Sequence, residues 1–124
     1  GNEKTVVHAH MKLDDVNTVT YNAVNALAPF GVGNPKPLFA FTNVEPISVR
    51  WFGKKGEHLE VVYPKSKGEP LFRQGQTGEI KAIIFFATKD LEERAKKKHT
   101  LLAHIEKSVF RGKTELRLRI KEVV

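Results

Sequence analysis

The segment 27–39, which reads LAPFGVGNPKPLF, constrains the fold more than any other part of the chain. Pro29 has no amide hydrogen and ends any helix before it, and Gly31 and Gly33 are free to adopt positive φ. The two later prolines hold the backbone extended. The segment therefore predicts a stiff corner that leads from a helix into a strand, and by itself such a corner is a structural device before it is a ligand site.

The residues of this corner resemble the Leu-x-Pro-Phe-Gly-x-Gly-Asn-Pro-x-Pro-x-Phe segment near the C-terminus of RecJ. That family comprises bacterial 5′ to 3′ exonucleases, specific for single-stranded DNA, of the Asp-His-His phosphoesterase superfamily. The similarity runs from about Val16 onward and continues, in order, through Gly53, His58-Leu59, Lys81-Ala82-Ile83, and Phe110-x-Gly112 followed by Leu116-x-Leu118-x-Ile120. The corner motif is specific, whereas the later pieces carry weight through their order. The resemblance implies the OB-type domain of that family.

Length and composition set the class of protein. A chain of 124 residues with 40% hydrophobic and 28% charged side chains fits one globular domain, too small to add a catalytic domain of ordinary size. The absence of cysteine excludes disulfides and zinc-thiolate sites and fits a reducing cytoplasm. No leader sequence is evident, and the longest apolar run, Ala82 to Ala87, is too short to cross a bilayer. We expect a soluble, cytoplasmic protein.

Positive charge is concentrated in the second part of the chain. Residues 1–48 carry 3 basic and 4 acidic side chains, whereas residues 49–124 carry 18 and 10, so the excess of positive charge lies entirely after position 48. A segregated positive field indicates a polyanionic partner, nucleic acid before membrane. The alternative is an ordinary solvated basic surface.

Periodicity predicts a short strand over 5–13, a helix from Asn17 or Thr18 to Ala28, and then the corner. After the corner it predicts strands over 44–52, 58–63 and 79–87, a helix from 89 or 90 to 98, and strands over 100–109 and 114–123. A loop, rich in Lys, Gly, Pro and Gln, is predicted over 64–78.

This order indicates a mainly β protein, a five-stranded OB-type barrel with a helix between strands 3 and 4. We expect residues 1–43 to form an N-terminal strand, helix and Pro/Gly-rich corner packed on the barrel, and residues 44–124 to form the barrel, in one structural domain.

The predicted DNA-binding surface consists of cations and aromatic rings around two hairpin turns. OB barrels bind oligonucleotides on the face of strands 2 and 3 and on the loops that join strands 1 to 2 and 4 to 5. We expect the two turns to present their cations on a common side of the barrel. The candidate residues are Arg50, Trp51, Lys54, Lys55, His58, Phe110, Arg111, Lys113, Arg117 and Arg119.

Several of these residues also have a purely structural interpretation. Strand alternation requires that either Trp51 or Phe52 point into the core. His58 also suits local packing or a local hydrogen bond. Phe110 suits either the core or a contact with DNA, and the lysines at 96–98 suit a solvated helix end.

Catalytic and metal sites find little support. The Asp-His-His signature is absent from the chain, so no cleavage is assigned to it, and the manganese or magnesium that the resemblance implies belongs to a separate catalytic core. His8 and His10 lie on one face of the predicted strand, but the pattern offers no further ligand next to them, so they make a poor metal site. Asp14-Asp15 and Glu92-Glu93 are adjacent pairs whose side chains diverge. The acidic pairs are expected at the surface.

Two functions follow as hypotheses. In the first, the chain is the single-stranded DNA-binding OB domain of a RecJ-like exonuclease acting in recombination and repair. In the second, the same fold is a protein-interaction module that docks to the nuclease core or to a single-strand-binding protein.

Overall fold

A computed structural model describes residues 6–65 and 78–124 of the chain. The loop predicted over 64–78 falls largely on residues 66–77, which lie outside this description. The elements are β1 (Ala9–His10), a 3-10 turn (Leu13–Asp15), α1 (Thr18–Asn25), β2 (Phe39–Val44), β3 (Ser48–Phe52), β4 (His58–Pro64), β5 (Glu79–Ile84), α2 (Lys89–Lys96), β6 (His99–Phe110) and β7 (Lys113–Val123).

The mainly β character of the chain is confirmed, and α2 lies between the third and fourth of the five predicted strands. Those five strands are β3, β4, β5, β6 and β7, and they pair in the order β3-β4-β5-β7-β6. All of these pairs are antiparallel except β5 with β7, which is parallel. This arrangement is consistent with an OB-type domain.

The prediction of a closed, five-stranded barrel is wrong in strand number and in closure. The described residues form seven strands in the open order β1-β2-β6-β7-β5-β4-β3. β2 pairs with β6 and β3 with β4, although only residues 45–47 separate β2 from β3 along the chain. Asn43 has φ of 58°, the register shifts between Phe41 and Val44, and Pro46 lacks an amide hydrogen. These features break one long strand into two, because a bulge and a proline interrupt a hydrogen-bonded ladder.

The core lies on one face of the curved sheet, where alternate residues of each strand point. Leu59, Val61 and Tyr63 of β4 are fully buried there, as the period of two predicts for a half-buried strand. The strands predicted over 100–109 and 114–123 alternate in the same way, since Leu101, Ala103, Ile105, Leu118 and Ile120 are buried and Leu116 is half-buried against the same core. Leu91 and Ala95 of α2 close one end of this core.

A buried polar pair crosses the core. The Tyr63 hydroxyl lies 2.6 Å from Nε2 of His99, and Nδ1 of His99 lies 2.6 Å from the carbonyl oxygen of Lys97. A carbonyl only accepts hydrogen bonds, so Nδ1 carries the proton and Nε2 accepts from Tyr63. Burial raises the pKa of Tyr63 and lowers the pKa of His99, against a smaller opposing effect of the Lys97 carbonyl. Both groups are therefore neutral in the folded protein at pH 7.

The N-terminal part is braced by side-chain caps. The Asn17 side chain accepts a hydrogen bond from the Thr20 amide at 2.9 Å and begins α1, which confirms one of the two predicted starts. The strand predicted over 5–13 is wrong in extent, because among the described residues of this range only Ala9 and His10 form a strand, paired with β2.

Hydrogen bonds within the corner hold its backbone in place. Gly31 and Asn34 exchange backbone hydrogen bonds of 2.9 and 3.0 Å. The Asn34 side chain donates to the carbonyl oxygens of Leu27 and Pro29 at 2.8 and 2.7 Å. Gly33 has φ of 87°, whereas Gly31 does not adopt positive φ, so the glycine requirement falls on Gly33.

Candidate nucleic-acid interface

The outward face of β3, β4 and β5 gathers aromatic side chains at one end of the sheet. Phe52 is paired with His58 across β3 and β4, and Phe85 follows the last residue of β5. The His58 ring centroid lies 5.4 Å from that of Phe52 and 4.9 Å from those of Phe85 and Phe86. We call these four residues the aromatic cluster. Phe86 is 72% exposed and Phe85 is 40% exposed, so two rings face solvent.

Backbone geometry holds the cluster in place. The Phe86 amide donates to Nδ1 of His58 at 3.1 Å, and the Ala87 amide donates to the carbonyl oxygen of Glu57 at 3.0 Å. Phe86 itself has φ of 55°, which turns the chain out of the sheet. Gly53 begins the β3–β4 turn with φ of 99°, and a Cβ there would lie 2.7 Å from Cδ2 of His58. Only glycine fits beneath the imidazole without displacing it.

Arginines approach the cluster from β7. The Arg119 guanidinium lies 4.6 Å from the ring centroid of Phe85, within the range of a cation–π contact. Glu106 of β6 pairs with Arg119 at 3.1 Å and with Arg117 at 2.7 Å. Two guanidinium groups share one carboxylate, which leaves a net positive charge beside the aromatic rings.

Three lysines on this side of the sheet have no acidic partner among the described residues. Arg50 pairs with Glu60 at 2.8 Å, whereas no carboxylate of the described residues lies within 4.0 Å of the Lys54, Lys55 or Lys81 amino groups. All three lysines are exposed. Lys54 and Lys55 lie in the β3–β4 turn that adjoins the aromatic cluster.

The second basic turn lies at the other end of the strands. The β3–β4 turn follows the Phe52–His58 pair, next to the end of β5. β7 runs parallel to β5, and its start is five residues before Leu118, which pairs with Ala82. The expectation that Lys54 and Arg111 share a common side is therefore wrong, because a parallel β5–β7 pair sends the two turns to opposite ends.

One face still connects the two ends. Residues 113, 115, 117, 119 and 121 of β7 alternate outward, opposite to the buried Leu118 and Ile120. They read Lys, Glu, Arg, Arg, Lys. Lys113 and Arg119 are six positions apart, which at about 3.3 Å per residue spans about 20 Å of strand. We call this row, from Lys113 to Lys121, the β7 cationic row.

Phe110 belongs to the same outward face as the β7 cationic row. It pairs with Lys113 at the tip of the β6–β7 hairpin and is 70% exposed. The Arg111 guanidinium lies 5.2 Å from its ring centroid.

Trp51 occupies the opposite side of β3. Its ring packs against the core, and its Nε1–H donates to Oε2 of Glu92 in α2 at 2.9 Å. Trp51 is thus the inward member of the Trp51–Phe52 pair, and Phe52 is the outward one.

Of the ten predicted site residues, the structure brings together five at the end of the sheet that carries the aromatic cluster, with Arg117 beside them. The five are Arg50, Lys54, Lys55, His58 and Arg119.

Comparison with known protein families decides the classification. A family model described as the RecJ OB domain matches residues 7–122 of the chain. The chain belongs to the RecJ OB domain family. A search of curated proteins returns no match. Membership of this family makes the outward face of the RecJ OB domain a candidate nucleic-acid interface.

The described part of the RecJ OB domain shows no metal centre. No group of three or more His, Asp or Glu side chains in residues 6–65 and 78–124 is arranged to hold a metal ion. No helix in the same residues is long and apolar enough to span a membrane.

Phe85 and Phe86 were missed by the sequence prediction, which assigned them to a buried strand over 79–87. β5 ends at Ile84, and both rings leave the sheet. The run AIIFFA is uniformly apolar, so it has no alternation that distinguishes an inward residue from an outward one. The contact with His58 appears only when β4 and β5 are paired.

Proposed function

We propose that this RecJ OB domain binds single-stranded DNA for a RecJ-like 5′ to 3′ single-strand-specific exonuclease acting in recombination and repair in the cytoplasm. The observation that carries the proposal is the aromatic cluster on the outward face of β4 and β5, with Arg119 against Phe85. Exposed rings beside unneutralised cations suit an unpaired strand, because bases offer faces for stacking and phosphates need positive charge.

The preference for a single strand follows from the rings. Phe86 is 72% exposed at the edge of the aromatic cluster and is free to stack on one base. A base inside a duplex has both faces covered by its neighbours, so it must leave the stack before it meets the ring. Stacking contributes about 1 to 3 kcal/mol per base with little dependence on sequence. We therefore expect the domain to discriminate between single-stranded and double-stranded DNA more than between base sequences.

Phosphate contacts supply the rest of the affinity. Lys54, Lys55 and Lys81 have no acidic partner among the described residues, and the Arg117–Arg119–Glu106 group adds one net positive charge. If roughly three or four phosphates are neutralised, the logarithm of the binding constant falls against the logarithm of salt with a slope of about −2 to −3. Cleavage itself is assigned to a separate metal-dependent core, to which this domain presents the strand.

The test is a titration of a labelled oligonucleotide, single-stranded or annealed to its complement, against the chain and two matched variants. Phe86→Ala removes the exposed ring of the aromatic cluster, and Leu27→Ala removes a half-exposed apolar side chain from the corner. We expect Phe86→Ala to weaken single-strand binding by about tenfold, in line with one lost stacking contact, and Leu27→Ala to leave it unchanged. Equal affinity for the duplex, or equal effects of the two variants, would contradict the proposal.

Charge reversal locates the strand on the surface. Lys54→Glu lies beside the aromatic cluster, and Arg111→Glu lies at the far hairpin. If the strand runs along the β7 cationic row between them, both reversals weaken binding and reduce the salt slope. Loss at Lys54 alone would restrict the path to the aromatic cluster.

A second candidate function is docking to the nuclease core. The corner exposes Val32 completely and Leu27 by half, on a stiff frame set by Asn34. Rigid apolar side chains are suited to an interface within one protein, since little side-chain order is lost on contact. Co-purification of the separately expressed core with this chain, and its loss in Val32→Asp, is the corresponding test.

A further inference from the structure

The β6–β7 hairpin extends beyond the rest of the sheet. Among the described residues, β7 first meets β5 at Leu118, and β6 last meets β2 at Ala103. The strands then continue, paired only with each other, to Phe110 and Lys113. β5 begins at Glu79, which the parallel register places level with Glu115, so residues 109–114 at the tip of the hairpin lie beyond the other described strands.

The projecting hairpin is held rigid. Arg111 and Gly112 both have positive φ, 51° and 77°, as in the two-residue turns whose twist matches that of the flanking strands. On the inner face, Nζ of Lys107 lies 5.1 Å from the ring centroid of Tyr21 in α1, which braces the base of the hairpin. The base of the hairpin is therefore held against α1, and the turn has the conformation of a tight two-residue hairpin connection.

The end of the hairpin is apolar and cationic at once. Val109 and Phe110 are 67% and 70% exposed, and the Arg111 guanidinium lies over the Phe110 ring. No carboxylate of the described residues lies within 4.0 Å of the Arg111 or Lys113 side chains. A protein groove that received Phe110 would also desolvate two unpaired cations, whereas nucleic acid offers a base for the ring and phosphates for both charges.

The position of the tip relative to the aromatic cluster defines which nucleic acid fits. The β7 cationic row leads from the aromatic cluster to Lys113 on one outward face. A strand that follows this row reaches Phe110 where it leaves the domain, and in a partly double-stranded molecule this is where base pairing begins. Apolar side chains inserted at such a step unstack it.

We propose that Phe110 is a wedge that inserts at a junction between single-stranded and double-stranded DNA and unstacks the first base pair. This proposal rests on the proposed function, since the single strand must first lie on the outward face. It adds a substrate class, the tailed duplex, and a separate role for the hairpin tip.

The experiment uses a duplex that carries a single-stranded tail of about 12 nucleotides, within the range that one OB domain covers, and 2-aminopurine at the first base pair. The tail alone is the second probe. We expect the chain to raise 2-aminopurine fluorescence at the junction, because the base is unstacked. Phe110→Ala abolishes this rise and weakens binding of the tailed duplex by about tenfold, while its affinity for the tail alone stays within about twofold.

Val109→Ala is the matched control, because Val109 is equally exposed on the opposite face of the same hairpin. It is expected to behave as the unaltered chain does. The wedge is refuted if fluorescence does not rise while the tail is bound, or if Phe110→Ala weakens both probes equally, which would make Phe110 an ordinary strand contact. The wedge is also refuted if Phe110→Ala leaves both the fluorescence rise and the affinity for the tailed duplex unchanged. Failure of the unaltered chain to bind the tail at all overturns the proposed function instead.

Discussion

Removing the hydroxyl of Tyr63 is expected to lower the free energy of unfolding markedly, although only one heavy atom is lost. Tyr63 is fully buried, and its hydroxyl is the hydrogen-bond partner of Nε2 of His99, which is itself only 6% exposed. In Tyr63→Phe the imidazole keeps its bond to the Lys97 carbonyl, but Nε2 becomes a buried acceptor without a donor. No other described side chain replaces the lost group.

The magnitude follows from this geometry. An orphaned buried polar atom costs about 1 to 3 kcal/mol, against about 0.5 to 1.5 kcal/mol for loss of an ordinary exposed hydrogen bond. We expect the free energy of unfolding to fall by about 2 kcal/mol, which for a domain of this size lowers the melting temperature by roughly 6 to 12 °C. The cavity term is negligible, because only one oxygen is removed.

The assay is urea unfolding monitored by circular dichroism at pH 7.5, with Tyr21→Phe as the matched control. Tyr21 of α1 is half-buried beside β6, and its hydroxyl has no hydrogen bond among the described residues. Tyr21→Phe should change the free energy of unfolding by less than about 0.5 kcal/mol. Equal effects of the two substitutions, with unchanged urea dependence, would refute the assignment of a stabilising Tyr63–His99 bond.

Four further predictions concern pH, glycine, charge and the corner. The pKa of His99 lies below its ordinary value of 6.5, so the unfolded chain takes up a proton first and stability falls as pH drops below about 6.5; His99→Gln should remove that part of the decline, seen by unfolding between pH 7.5 and 5. Gly53→Ala forces a Cβ against His58 and should weaken oligonucleotide binding more than Gly56→Ala, measured by titration. Glu106→Gln releases two guanidinium groups and should tighten binding by severalfold with a steeper salt slope. Asn34→Ala loses two hydrogen bonds and should cost about 1 kcal/mol of unfolding free energy in urea unfolding, and Asn34→Asp should not restore it, because a carboxylate cannot donate to the Leu27 and Pro29 carbonyl oxygens.

Local patterns predicted the elements whose signals are local. Alternation over 100–109 and 114–123 identified β6 and β7 and their inward residues, and the capping residue Asn17 identified the start of α1. The composition of the corner was sufficient to predict its stiffness, since prolines and a left-handed glycine restrict the backbone without help from the rest of the fold.

The features that the sequence did not predict depend on contacts between residues that are far apart in the chain. No strand was predicted over β2, which lies almost entirely before the strand predicted over 44–52, and its partner β6 lies more than fifty residues away. Phe85 and Phe86 lie in an unpatterned apolar run, so only pairing with β4 shows that they leave the sheet. The arrangement of the two basic turns is set by the parallel register of β5 and β7, and no pattern within either hairpin encodes that register.

The amino-acid sequence by itself thus determined the family, the mainly β character, the stiff corner and the inventory of cations and rings. These properties depend on residue type and short-range periodicity. Tertiary structure alone decided that His58 gathers Phe52, Phe85 and Phe86 into one cluster and that Phe110 projects from the far end of the outward face. The physical reason is that strand order and register bring residues from separate strands together, through hydrogen bonds that any backbone can make.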